Sequence, residues 1–106
     1  MLVNPAYKYK GTIMSITRIN EFQAAEGKAE ELFGFLKSLI PHISSSEGCK
    51  SCEVLRNKDS QESFVVIEKW DSIESHQKSI KSYPKEKMQA AMNLFGAPPK
   101  GSYYHG

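Results

Sequence analysis

The clearest pattern in the chain is a hydrophobic run that a carboxylate interrupts. Residues 64–67 read Phe-Val-Val-Ile, which is typical of a strand covered on both faces. Side chains alternate across a strand, so one face is predicted to carry Phe64, Val66, Glu68 and Trp70. A carboxylate between large apolar neighbours is costly to ionise, and we expect a raised pKa for Glu68. This strand therefore indicates either a working pocket or a glutamate that pairs with Lys or Arg.

The rest of the pattern predicts alternating α and β elements. In chain order these are a strand over 13–22, a helix over 29–43, a loop over 44–48, a strand over 49–56, a turn over 57–61, the strand described above, helices beginning at Asp71 and Pro84, and a closing strand over 101–105. Pro41 should kink or loosen the first helix, and Asp71 is predicted to be the N-cap of a capping box. The order βαββααβ indicates a ferredoxin-like α+β fold, an antiparallel sheet with helices on one face.

The start of the periodic pattern predicts the domain organisation. We expect residues 1–12 to be an N-terminal extension and residues 13–106 to form a single domain. This length is sufficient for one hydrophobic core.

Composition and charge exclude several classes of function. Charged residues make up 25% and hydrophobic residues 40% of the 106 positions, which is ordinary for a globular domain. A net charge of +2 is too small to indicate a nucleic-acid or membrane partner, and the third strand lacks the stacking pattern of RNA-recognition modules. The N-terminus lacks an apolar signal core, and no apolar run reaches the ~20 residues that cross a bilayer. We therefore expect a cytoplasmic protein.

The two cysteines form a Cys-x-x-Cys sequence, Cys49 to Cys52. A redox motif of this type works at a helix N-terminus, whereas these residues fall in a predicted strand. Residues three apart on a strand face opposite ways, so a disulfide is geometrically poor. His42, His76 and His105 show no metal-ligand spacing. We interpret both cysteines as buried structural thiols and expect no metal site.

Several segments together carry a family resemblance. They are the Gly27 turn, Gly48-Cys49, the run from Phe64 to Ser72, and the tail from Ala97 to Tyr104. Over roughly residues 14–105 the chain resembles the antibiotic-biosynthesis monooxygenase family of small dimeric α+β barrels. It is most similar to an uncharacterised subgroup in which Glu-x-Trp is followed by Asp-Ser-x-Glu-x-His-Gln, here Glu68 to Gln77.

The resemblance implies an activity. Characterised members oxygenate phenols, quinols or anthrone-type polyketides with dioxygen and use neither metal nor flavin. It therefore implies a monooxygenase without a cofactor, acting on a small aromatic substrate in a pocket between sheet and helices. Such chemistry needs a base, an anion stabiliser and an aromatic platform in a dry site.

The residues for these roles follow from the resemblance and from the shared strand faces. Glu68 or His76 would be the base, Arg18 or Asn20 the anion donor, and Trp70 the platform. The candidate catalytic residues are Glu68, His76 and Asn20, and the candidate substrate-binding residues are Trp70, Arg18, Phe22, Val66 and Tyr83.

Departures from the family leave the substrate open. Val66 stands where polyketide-oxidising members carry Asn, and Ser79 stands where many quinol oxygenases carry His. Haem-degrading relatives need an Asn on strand one, which Asn20 supplies. They also need a Trp and a His where this chain has Ser79 and Gln89, so haem degradation is disfavoured.

Structural interpretations stand beside the catalytic ones. Trp70 would serve as a core anchor and His76 as a solvated helix residue. Met88 and Met92 are interpreted as core residues. For the whole protein the alternative is a dimer without catalytic activity that binds a small hydrophobic ligand or serves in stress response.

The two-sided apolar strand predicts the assembly. Helices cover one face of the sheet, so the apolar residues of the other face must be buried in another way. We expect a homodimer in which the sheets of the two protomers pack against each other. Sedimentation equilibrium at micromolar concentration should give the mass of a dimer. A monomer under those conditions would contradict the prediction.

Overall fold

The computed structural model describes residues 15–106. The predicted extension, residues 1–12, and positions 13 and 14 of the predicted domain lie outside the described residues. The described elements are β1 (Ile16–Gln23), α1 (Ala29–Ser38), α2 (Ile40–Ser45), β2 (Cys49–Arg56), β3 (Ser63–Trp70), α3 (Ile73–Ser82), α4 (Lys85–Ala91), a turn of 3₁₀ helix (Met92–Leu94) and β4 (Lys100–Tyr104).

The four strands form one antiparallel sheet in the order β2-β3-β1-β4. The predicted ferredoxin-like α+β fold is confirmed. Strand β3 lies between β2 and β1, and its side chains alternate as predicted. Phe64, Val66, Glu68 and Trp70 are buried, while the residues between them are half-buried or exposed. The alternation fixes which residues of β3 face the helices.

The hydrophobic core lies between this inner face of the sheet and the helices. Leu32 and Leu36, one helical turn apart on α1, are completely buried. They belong to a cluster of buried residues: Ala24, Leu32, Leu36, Leu39, Phe64, Val66, Ala91 and Leu94. Glu30 and Glu31 in the first turn of α1 complement the positive end of the helix dipole.

The predicted single helix over 29–43 is interrupted rather than kinked. Its first part ends at Ser38, and the N–H of Leu39 bonds the carbonyl of Leu36 in a tightened last turn. Helix α2 then begins at Ile40, so Pro41 lies in its first turn, where a missing N–H costs least. Helix α2 continues to Ser45, so the predicted loop over 44–48 begins two residues too early.

The N-cap of α3 is Ser72 and not Asp71. The Oγ of Ser72 accepts a hydrogen bond from the backbone N–H of Ser75 at 3.1 Å. The backbone N–H of Asp71, the residue before this N-cap, donates to the carbonyl of Gly48 at 2.8 Å. Gly48 has a φ of 89°, and a Cβ there would collide with the side chains of Asp71 and Ser75. Glycine therefore permits the close approach of β2 to the start of α3.

Two further predictions about helix α4 need correction. Pro84 precedes the helix as its N-cap instead of occupying its first turn. Met88 and Met92 are 37% and 59% exposed, so their interpretation as core residues is wrong. The helix ends at Ala91, and the 3₁₀ turn that follows changes the helical phase and directs Leu94 inward instead.

A β-bulge between Cys49 and Ser51 changes the faces of the two cysteines. Cys49 pairs with Trp70 and Cys52 pairs with Glu68, two positions on the same face of β3. The extra residue therefore places both thiols on the inner face, and the expected opposite orientation is wrong. Both are unbridged and half-buried rather than buried. Burial raises the pKa of Cys49 and that of Cys52, the latter to about 12, which disfavours the reactive thiolate.

The outer face of the sheet carries an apolar centre. Ile19 pairs with Ile67, and Leu55 pairs with Val65, so these four side chains share that face. Its margins are more polar and include Thr17, Glu21, Glu53, Lys69, Lys100 and Ser102. No helix within residues 15–106 is long and apolar enough to cross a membrane.

Replacement of Leu36 by Ala should test the position of the core. Leu36 is fully buried, so Leu36→Ala is expected to lower the free energy of unfolding by about 2–5 kcal/mol. Met92→Ala is the control, because that side chain is mostly exposed and should cost less than about 1 kcal/mol. Urea denaturation of both variants measures the difference. Equal losses would contradict the assignment of these two residues.

Candidate active site

A cavity of about 490 Å³ lies between the inner face of the sheet and the helices. Its volume is within the usual range for small-molecule sites, about 300–1,000 Å³. The walls are mainly apolar. The lining residues are Asn20, Phe22, Leu39, His42, Ile43, Val66, Glu68, His76, Ser79, Ile80, Lys81, Tyr83, Lys85, Met88, Phe95 and Pro99.

Glu68 is the buried carboxylate of this cavity and is 4% exposed. The indole N–H of Trp70 donates a hydrogen bond to its Oε1 at 2.9 Å, and the amide N–H of Asn20 donates one to its Oε2 at 3.2 Å. Donors from two strands thus hold both carboxylate oxygens. Oε2, which accepts only from Asn20, has a further lone pair with which it could accept a proton from a ligand.

A second set of contacts fixes the amide of Asn20. The Nε of Arg18 donates to Oδ1 of Asn20 at 2.9 Å, which directs the amide nitrogen toward Glu68. Gly101 lies opposite Asn20 on β4, and a Cβ there would collide with the Arg18 guanidinium and the Asn20 amide oxygen. The absence of a side chain at Gly101 therefore leaves room for this pair.

His76 reaches the same site from α3 and is 3% exposed. Its Nδ1 lies 2.6 Å from the hydroxyl of Tyr103, and its Nε2 lies 3.7 Å from Oε1 of Glu68. A carboxylate only accepts hydrogen bonds, so the favourable tautomer places the proton on Nε2 and lets Nδ1 accept from Tyr103. The Arg18 guanidinium lies over the Tyr103 ring, 4.6 Å from its centre, and supports that ring.

Burial shifts both titratable groups toward their neutral forms. Burial raises the pKa of Glu68, while the hydrogen bond from Trp70, the charge of Arg18 and the hydrogen bond from Asn20 oppose the rise. The expected direction for Glu68 is thus confirmed. Burial, aided by the Arg18 charge, lowers the pKa of His76 to about 4. His76 is therefore a neutral imidazole at neutral pH.

The structure brings together most of the residues predicted from the sequence. Six of them line the cavity: Asn20, Phe22, Val66, Glu68, His76 and Tyr83. Trp70 and Arg18 do not line it. Trp70 is fully buried beneath the carboxylate that it bonds, and Arg18 is committed to Asn20 and Tyr103.

Sequence reasoning did not identify the partners that position these groups. Tyr103 and Gly101 act through their register with β1, which pairs Arg18 with Tyr103 and Asn20 with Gly101. Nothing in the sequence of the closing strand indicates a contact between Tyr103 and His76. Ser79 is another buried polar residue of the cavity, and its Oγ lies 2.7 Å from the Oγ of Ser46.

A second hollow, of about 450 Å³, lies at the other end of the sheet. Its walls include Leu55 and Val65 of the outer face, together with the exposed charges of Glu21 and Lys100. It lacks the buried acid–base pair of the first cavity, so we place the candidate site at Glu68. Across the described positions, no group of three or more His, Cys, Asp or Glu side chains is arranged to hold a metal ion.

The comparison with protein families decides the assignment. The family model for antibiotic biosynthesis monooxygenases matches residues 15–93. The chain belongs to this family. The matched residues include the elements from β1 to α4. They also include every residue that lines the 490 Å³ cavity of this antibiotic biosynthesis monooxygenase domain, except Phe95 and Pro99.

Solved structures share this fold. PA3566 from Pseudomonas aeruginosa is 19% identical with a TM-score of 0.80, and the match covers 88% of this chain and 94% of that one. A conserved protein from Methanosarcina mazei is 23% identical, with a TM-score of 0.78 and coverages of 91% and 96%. SnoaB from Streptomyces nogalater, a cofactor-independent oxygenase, is 17% identical, with a TM-score of 0.73 and coverages of 87% and 92%. The search of curated proteins found no match.

Acid should destabilise this antibiotic biosynthesis monooxygenase domain through His76. Unfolded histidine binds a proton near pH 6.5 and folded His76 only near 4, so the unfolded state holds more protons between these values. The neutral imidazole therefore contributes its full stabilisation above about pH 6.5. As the pH falls from 6.5 to about 4, the free energy of unfolding should decrease by roughly 1–3 kcal/mol. His76→Gln should lessen this decline in urea denaturation.

The control for His76 is His105→Gln, which changes an exposed histidine in the same way. Glu68 acts with the opposite sign, because a raised folded pKa makes its contribution fall as pH rises. Comparing variants with the parent at each pH separates the two groups. The same pH slope for His76→Gln and the parent would contradict the assignment.

Proposed function

We propose that the protein is a cofactor-independent monooxygenase that oxidises a small aromatic substrate with dioxygen. The observation that carries this proposal is the Glu68 carboxylate, held by two donors beside a neutral His76 in an apolar cavity. A base with a raised pKa in a dry site suits the removal of a proton from a phenol or carbon acid.

The first step is proton transfer to Glu68. The carboxylate accepts the proton of an acidic hydroxyl or C–H group, whose electron pair stays on the substrate. Asn20 has a second amide hydrogen for the resulting anion, and the proposed Nε2–H of His76 supplies another donor. The apolar walls, which include Phe22 and Val66, keep water from competing for these donors.

The second step is electron transfer from the substrate anion to dioxygen. One oxygen atom enters the substrate, and the other leaves as water with the two hydrogens that the substrate loses. Dioxygen gains the four electrons that the substrate gives up, so no further reductant is needed. The role of the protein is to supply the anion and to hold it away from water.

The family assignment and the similarity to SnoaB support this reaction class. SnoaB is described as a cofactor-independent oxygenase. At 17% identity its structure supports the fold of this chain, and the reaction is inferred from the site. Val66 and Ser79 differ from the residues implied for polyketide and quinol oxygenases, so the proposal stops at a small aromatic substrate.

We also propose that the active form is a homodimer joined through the outer faces of the sheets. The apolar centre of that face, formed by Ile19, Leu55, Val65 and Ile67, supports this assembly. The cavity opens on the helix side of the sheet, so such a dimer would leave both cavities accessible.

Oxygen uptake by chelator-treated protein tests the proposed reaction. A panel of quinols, naphthols and anthrones should include a compound whose uptake survives the chelator. Glu68→Gln is expected to reduce that rate tenfold or more, about 1.4 kcal/mol of barrier, because the base is lost. His76→Ala should reduce the rate as well, through the loss of an anion donor.

The control for Glu68→Gln is Glu62→Gln, an exposed glutamate next to the same strand. It should leave the rate unchanged. No uptake above the uncatalysed rate, with every protein folded, would favour the alternative of a dimer that binds a small ligand without catalysis. If Glu68 then serves stability alone, Glu68→Gln should lower the melting temperature and leave ligand affinity unchanged.

A further inference from the structure

The cavity changes in character from its inner end to its mouth. Glu68, His76 and Ser79 form a buried polar inner end. Ile80 and Met88 are 57% and 37% exposed, so the wall that they form meets solvent. The middle is apolar, with Phe22, Leu39, Ile43, Val66 and Phe95.

Two lysines stand at the mouth. Lys81 lies in the last turn of α3 and Lys85 begins α4, on either side of the Tyr83–Pro84 connection. Both are exposed, and both line the cavity. Neither forms an ion pair with any residue among 15–106. Their charges are therefore available to a ligand.

The two ends of the cavity differ in charge: the charge of Arg18 offsets that of Glu68 at the inner end, whereas the two lysines at the mouth are unpaired among residues 15–106. Among the described residues that line it, Glu68 is the only acidic one, and it lies at the inner end. An anionic group is attracted to the exposed charges of Lys81 and Lys85 and gains no comparable attraction at the inner end, where the lining residue Glu68 is acidic. A ligand with one acidic group and one apolar body would thus enter with the body first.

We propose that the ligand of this cavity is an amphipathic aromatic acid. Its carboxylate or similar anion binds at Lys81 and Lys85, and its ring system fills the apolar middle. The far end of the ring then meets Glu68 and His76. This substrate class rests on the proposed function for the chemistry at the inner end, while binding itself requires no reaction.

Calorimetric titration without oxygen tests this class. Naphthoate is the probe, and naphthalenemethanol is its neutral counterpart with the same ring. The parent protein should bind naphthoate more tightly than the alcohol. The variant Lys81→Gln with Lys85→Gln should lose roughly fivefold to tenfold in naphthoate affinity and less than about twofold for the alcohol.

A charge-matched variant serves as the control. Lys78→Gln with Lys87→Gln changes two exposed lysines of the same helices that do not line the cavity. It should leave naphthoate affinity within about twofold of the parent, and added salt should weaken naphthoate more than the alcohol. An equal loss in the two variants would overturn the proposal, as would equal affinity for acid and alcohol or no naphthoate binding.

Naphthoate binding and oxygen uptake together distinguish a wrong ligand class from a wrong reaction. Naphthoate binding that depends on Lys81 and Lys85, without oxygen uptake by any hydroxylated aromatic acid, would retain the ligand class and reject the oxygenase. Uptake that depends on Glu68 with neutral substrates, and no preference for acids, would retain the oxygenase and reject the ligand class.

Discussion

The burial of the Glu68 carboxylate is the constraint on which the site depends. An ionised carboxylate that loses water without gaining partners is strongly disfavoured. Strand β3 cannot turn this side chain outward, since alternation would then expose Phe64, Val66 and Trp70 as well. The fold instead brings donors to the carboxylate, one from Trp70 on the same strand and one from Asn20 on β1. None of the buried side-chain polar atoms in the described part of the chain lacks a partner.

The supporting residues come from strands that are distant in sequence. β4 places Tyr103 opposite Arg18 and Gly101 opposite Asn20, which links the end of the chain to its beginning. Tyr103 then fixes His76, whose helix follows β3 directly. A shift of one residue between β1 and β4 would remove both contacts together, because every side chain of β4 would change faces. The site is thus a property of the sheet register as much as of its residues.

The parts of the structure that local periodicity determines could be predicted from sequence. Alternation identified the inner face of β3, and the element order indicated the fold. The incorrect predictions arose where one residue changed the alternation of a strand or the periodicity of a helix. The bulge before Ser51 reversed the orientation expected of the cysteines, and the early end of α4 exposed Met92. The contact between His76 and Tyr103 has no local pattern, since it depends on tertiary pairing alone.

The alternation of side chains in β3 also places the residues of the candidate site and those of the proposed dimer surface on opposite faces of the sheet. Glu68 and Val66 face the cavity, while Val65 and Ile67 belong to the outer face. A substitution at one set changes ligand contacts, and a substitution at the other changes the surface proposed for dimerisation. Trp70 belongs to the first set without touching the cavity, because its indole is buried beneath Glu68. Its contribution to the proposed reaction is therefore to hold the base in place, and the aromatic surface that meets a ligand comes from Phe22 and other cavity residues.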